Sequence, residues 1–161
     1  MKNMKWFSWR FFCCCCISLI FLRLCVFIPV IVNGSSMMNT LHNKEHLLMT
    51  KLSKNYNRKD IVVAENPIKE NKNIIKRVIG LPGETLEIIN DKVYINNHKL
   101  KEPYAYFSTK DQSNAVKNYK KIYIPKNRIF VMGDNRYNSF DSREFGTIDI
   151  NSIQGKIFHF K

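Results

Sequence analysis

Of the 161 residues only 6 are glycine and 5 proline, all five cysteines precede residue 26, no alanine occurs before Ala64, and the first 32 residues contain no acid. Scarce glycine and proline beside a 45% hydrophobic fraction exclude a collagen-like or wholly disordered chain. With Cys13, Cys14, Cys15, Cys16 and Cys25 all near the N-terminus, everything after Val32 lacks an internal disulfide, a thiol nucleophile and a thiolate zinc site. The Cys13 to Cys16 run reads as small apolar filler of a hydrophobic helix, with palmitoylation as the alternative. The missing early alanine argues against a cleaved secretory leader, which ends in small residues after an apolar core of roughly 7 to 15 residues. No basic and aromatic platform recurs, so the net charge of +13 reads as solvated surface or attraction to anionic lipid headgroups, and nucleic acid is not an expected partner.

What is present begins with a long apolar run. From Phe11 to Val32 only Ser18, Arg23 and Pro29 are not apolar, and a helix of that length rises ~33 Å, about one hydrocarbon core. The run predicts a single transmembrane helix, in which Arg23 snorkels or faces a partner and Pro29 is a possible early stop after Ile28. Lys2, Lys5 and Arg10 precede it, whereas Lys44 and Lys51 against Glu45 follow, so the N-terminus is expected in the cytoplasm and the rest on the outer face. The expected organisation is a cytoplasmic segment 1–10, an anchor 11–32 and one domain 33–161, a length that suits one core.

That domain reads as mainly β. Leu47 to Met49, Ile61 to Ala64, Ile74 to Ile79, Thr85 to Ile89, Val93 to Ile95, Ile122 to Ile124, Arg128 to Met132 and Lys156 to Phe160 are β-branched or aromatic runs between turn residues. Asn90-Asp91 predicts a tight hairpin, because both tolerate positive φ. No helical stripe and no repeat follows Val32, and Lys101 to Lys121 reads as a polar, tyrosine-bearing excursion.

Four segments carry candidate chemistry. His42-Asn43-Lys44-Glu45-His46 fits an H-x-x-E-H zinc pattern, but that pattern needs a helix, and here a turn leads into a strand. His98 and His159 are isolated. Gly34-Ser35-Ser36-Met37-Met38 places two hydroxyls within four residues of the expected membrane surface, although serines after a span also serve as linker. Lys76 lies inside the apolar run Ile74 to Ile79, where desolvation lowers an amine's pKa toward that of a usable base; an edge-strand lysine that snorkels is the alternative. Gly133 to Arg143 packs two acids, two arginines, two serines and two asparagines into eleven residues, the composition of a hydrogen-bonded loop network or of a charged turn.

Together the last three of these segments resemble the bacterial type I signal peptidase (leader peptidase) family of Ser/Lys proteases. The family's G-x-S-M-x-P-T-L motif stands as Gly34 to Leu41, its K-R-V-I-G-L-P-G-D motif as Lys76 to Glu84, and its G-D-N-R-x-N-S-x-D-S-R-x-x-G box as Gly133 to Gly146. Smaller echoes are Lys59 to Val63 and Val93 to Asn97, so the likeness runs from about Gly34 to Lys156. Asn39, Lys59 and Glu84 depart from the family's proline, glycine and aspartate, and Asn39 gives up proline's fixed φ beside the nucleophile motif. The resemblance implies Ser36 as nucleophile, Lys76 as general base, and the Ser36 N–H in the oxyanion hole, with Ser35 or a water as second donor. It implies support from Gly34, which lacks a hydroxyl, from Ser139, which would aim the lysine amine, and from Asp134, Asp141 and Arg143, which would hold the box together.

The expected activity is that of a membrane-anchored serine endopeptidase, a cell-membrane enzyme that acts on signal-peptide-bearing preproteins and needs no metal or other cofactor. Substrates would lie extended in an apolar groove for which Met37 and Ile75 are candidate linings. Three alternatives stand beside it: a mitochondrial inner-membrane protease with the same chemistry, a non-catalytic membrane-tethered β module, and a zinc peptidase through His42 and His46.

Overall fold

The computed structural model describes residues 9, 11–16, 26–52, 54–108 and 118–158. Among these residues eleven strands run in chain order: β1 (Phe27–Ile31), β2 (His46–Thr50), β3 (Ile61–Glu65), β4 (Asn73–Gly80), β5 (Thr85–Ile89), β6 (Lys92–Ile95), β7 (His98–Lys99), β8 (Tyr119–Tyr123), β9 (Arg128–Met132), β10 (Ile148–Asp149) and β11 (Ile153–Phe158). They form a seven-stranded sheet of order β1-β2-β11-β3-β4-β9-β10 and a four-stranded sheet of order β7-β6-β5-β8. Among the described residues, a helical turn at Ser142–Phe145 and a 3-10 turn at Ile150–Ser152 interrupt the strands.

Pattern explains packing. β3 lies inside the large sheet and is apolar at consecutive positions because both its faces are covered. Ile61 and Val63 join one core with Met37, Leu41, Met49 and Ile157, while Val62 and Ala64 join a second with Val78, Ile129 and Val131. A third core, including Ile79, Leu86, Val93, Ile124 and Phe130, ties the small sheet to the ends of β4 and β9. The hairpin forms as expected: Leu86 pairs with Ile95 and Ile89 with Lys92, across Asn90 at φ 48° and Asp91 at φ 64°. Lys59, where the family motif has glycine, also takes positive φ, at 78°.

The expected anchor 11–32 needs correction at its end. Residues 11–16 are helical and 17–25 lie outside the described residues, but Phe27–Ile31 is strand β1, paired along its length with β2 from Phe27 and Thr50 to Ile31 and His46. Pro29 is the physical reason, since it cannot continue a helix and is tolerated on the outermost strand of a sheet. Val32 is buried in the first core. No helix among the described residues is long and apolar enough to cross a membrane.

Candidate active site

The turn that carries Ser36 is pinned on both sides. Gly34 takes φ 101° and donates its N–H to Asn43 Oδ1 at 2.9 Å, while Thr40 N and Leu41 N both donate to Met37 O at 2.9 Å. Met37 and Leu41 are anchored in the core, which leaves Ser36 half-buried between them and the surface. Its carbonyl accepts from Asn135 N at 3.0 Å, so the turn is stitched to the Gly133 box.

Lys76 sits in the middle of β4, opposite Val62 of β3. The next residue, Arg77, pairs with Met132, the last of β9, so the lysine stands level with Gly133. Its side chain is buried and its Nζ donates to Ser36 Oγ at 2.7 Å. Desolvation lowers its pKa from 10.5 to about 8; Asp141 and Asp134 raise it and Arg143 lowers it further, without overturning the effect of burial.

The box holds two buried carboxylates, each clamped by an arginine. Asp141 accepts from Arg143 Nε and Nη2 at 2.8 Å each and from Gly133 N at 2.9 Å. Burial pushes its carboxyl up, but these partners prevail and hold it below the usual range. Asp134 accepts from Arg77 Nε at 2.7 Å and Nη2 at 2.5 Å, and from Thr40 Oγ1 at 2.5 Å. Gly133 is where the site closes most tightly: a Cβ there would lie 2.2 Å from Ser139 Oγ and 2.5 Å from Ser36 O, so no larger residue fits without displacing one of them.

The Ser139 hydroxyl is enclosed, has no hydrogen bond to the lysine amine among the described residues, and lies close enough to Asp141 to help keep that carboxyl ionised. Asn138, its neighbour, donates to Ser35 Oγ at 3.2 Å. A groove of about 690 Å³ runs up to the pair, with Ile28 to Asn33 on one side and Lys72 to Lys76 on the other. Met37 and Ile75 both line it.

Residues passed over in the sequence complete the arrangement. Arg77, Thr40 and Asn135 bind the three motifs to one another. Glu102 and Tyr104, in the polar excursion, contact Arg136 and Arg77. The aromatic cluster Tyr104, Tyr106 and Phe107 beside Glu102 is the signal the sequence offers there. Glu84, in place of the family's aspartate, still accepts from Leu81 N at 2.7 Å and pairs with Arg58 at 2.5 Å. His42 lies in a turn and His46 on β2, so the H-x-x-E-H pattern has no helix, and no metal-holding cluster occurs among the described residues.

A hydroxyl held against a desolvated amine at the head of an open groove is an arrangement that suits a hydrolase of the serine type. The sequence model of the family described as "Signal peptidase, peptidase S26" matches residues 4–160, and the chain belongs to that family. It is 40% identical to "Signal peptidase I P" of Bacillus subtilis subsp. natto over 152 residues, 87% of this chain and 82% of the relative. It is 39% identical to "Signal peptidase I" of Bacillus caldolyticus over 167 aligned positions, 97% and 90% of the two chains. The crystal structure of a signal peptidase I from Enterococcus faecalis V583 superposes with TM-score 0.52 at 33% identity, covering 65% of this chain and 97% of that one.

Proposed function

We propose that Ser36 and Lys76 form the catalytic dyad of a signal peptidase, and that this enzyme is anchored at the cell membrane with its β domain on the outer face. The 2.7 Å contact between a buried, uncompensated amine and the serine hydroxyl carries the reading. At pH 7.5 a lysine of pKa about 8 is roughly one quarter neutral, against roughly one part in a thousand at its ordinary 10.5. Neutral Lys76 takes the Ser36 proton as Oγ attacks the scissile carbonyl. It then gives that proton to the leaving amine, and activates the water that releases the acyl group. Ser36 N–H has no acceptor among the described residues and is available to the oxyanion.

The substrate would enter the groove as an extended strand between the Ile28 to Asn33 and Lys72 to Lys76 edges. Val30, Val32, Met37 and Ile75 line that space beside the Ser36 turn and would face the small side chains of an Ala-x-Ala site. Lipid contact is supported by the outer face of the same sheet edge. Pro29, Leu48 and Phe158 lie in one cross-strand row, and Ile31, Leu48 and Phe158 are 49%, 41% and 42% exposed. The apolar run that begins at Phe11 leads straight into this edge.

The test is cleavage of a preprotein with an Ala-x-Ala site by the full chain in detergent, comparing wild type with Ser36→Ala and Lys76→Ala. Both variants should lose at least about 10³-fold in kcat/KM. Either one cleaving at the wild-type rate sinks the dyad.

A further inference from the structure

The three motif segments meet at one buried ion pair. Thr40 lies four residues after Ser36, Arg77 follows Lys76, and Asp134 follows Gly133, and these three side chains bind one another at 2.5 to 3.3 Å. Arg77 Nη1 also donates to Lys59 O at 2.8 Å. The pair thus fixes the nucleophile turn, the lysine strand and the box relative to one another.

A fourth segment covers it. The Tyr104 ring centre lies 4.3 Å from the guanidinium carbon of Arg77 and 6.0 Å from that of Arg136. Tyr106 N donates to Asp134 O at 2.7 Å, Arg136 N donates to Tyr106 O at 2.8 Å, and Arg136 Nη2 donates to Glu102 Oε1 at 2.6 Å. Tyr104 Oη is buried and has no hydrogen-bond partner among the described residues, so what the side chain contributes is its aromatic face and the water it excludes. Excluding water strengthens the ion pair beneath, because charge interactions weaken as the surroundings become more polar.

We propose that Tyr104 is a positioning residue of the reaction: its ring seals the Arg77–Asp134 pair, and Glu102, by clasping Arg136, holds the ring in place, so that Ser36 Oγ and Lys76 Nζ keep their separation. Tyr104 acts through Arg77. The inference rests on the dyad proposed above.

The experiment compares Tyr104→Leu, Tyr104→Phe and Glu102→Gln in the full chain, with the same preprotein. Readouts are kcat, KM, the pH profile and the melting temperature. The amine of Lys76 faces Ser36 from its turn, Asp134 and Asp141 from the box and Arg143 from the helical turn. Water admitted by loss of the ring weakens the hold of Arg77 on Asp134, and the less compensated carboxylate raises the pKa of the Lys76 amine, so the acid limb should move to higher pH. Tyr104→Leu should lose about tenfold in kcat with KM within twofold and show that displaced limb, and Tyr104→Phe should rescue both.

The proposal is overturned if the Leu variant keeps the wild-type kcat and limb, if Tyr104→Phe is equally damaged, or if kcat falls only with the folded fraction while the limb stays in place. Should the Leu variant fail to fold, Glu102→Gln decides: a loss of about threefold in kcat with a displaced limb supports the clasp, and unchanged values overturn it. Cleavage that survives Ser36→Ala in the same assay would sink the dyad itself, whatever the Tyr104 variants do.

Discussion

Lys76 and Arg77 are neighbours on β4 and nearly inaccessible, at 5% and 7% exposure, yet their surroundings treat positive charge in opposite ways. Arg77 has a bidentate carboxylate, a backbone carbonyl and an aromatic face, so its charge is matched on every side. Lys76 has a serine hydroxyl and no carboxylate within ion-pairing distance among the described residues. One buried cation is structural because its charge is compensated. The other gives up its proton readily because its charge is not.

Exchanging the lysine for methionine gives the largest effect. Lys76→Met should abolish preprotein cleavage, by at least about 10³-fold, and yet raise the melting temperature at pH 7. A folded pKa of about 8 against 10.5 means that the native state disfavours the bound proton by about 3 kcal/mol. That penalty is complete below pH 8, shrinks as pH rises from 8 to 10.5, and is gone above. Melting curves of variant and wild type should therefore converge toward pH 10.5. A variant less stable than wild type at pH 7 would show that the amine is compensated after all.

Arg77→Met should lower stability where Lys76→Met raises it. It leaves the Asp134 carboxylate buried and unpaired, a loss of about 3–5 kcal/mol by denaturant titration. Adding Asp134→Leu should recover most of it, and a double variant as unstable as the single one would refute the pairing argument. A smaller effect concerns pH: kcat/KM should rise through about pH 8 in wild type, and a flat profile from pH 5 to 9 would remove the neutral amine from the mechanism. Smallest, Arg77→Lys keeps the charge but not the fork or the stacking, and should lose about 1–2 kcal/mol of stability with the acid limb in place.

Much of this was readable from residue order because it is local. The hairpin follows from Asn90 and Asp91, the central strands from consecutive β-branched residues, and the lysine's low pKa from its place within Ile74 to Ile79. What was misread depends on partners distant in sequence. Phe27–Ile31 has the composition of a membrane run, and only pairing with β2 makes it a strand. The two-residue strand β10 exists only through its pairing with β9, nearly twenty residues back. Thr40 and Arg77 gain their contacts from Asp134, and Tyr104 gains its own from Arg77. Motifs name the reacting groups, whereas long-range packing decides which neighbours hold them.

The placement of Pro29 on the outermost strand has a consequence of a different kind. A protein that handles extended apolar chains works beside the very material that adds to open sheet edges and seeds aggregates. The large sheet ends on one side in a strand whose middle residue has no N–H to offer, and on the other in β10, two residues long. Neither border can template a long ladder, so copies crowded together are kept from stacking edge to edge.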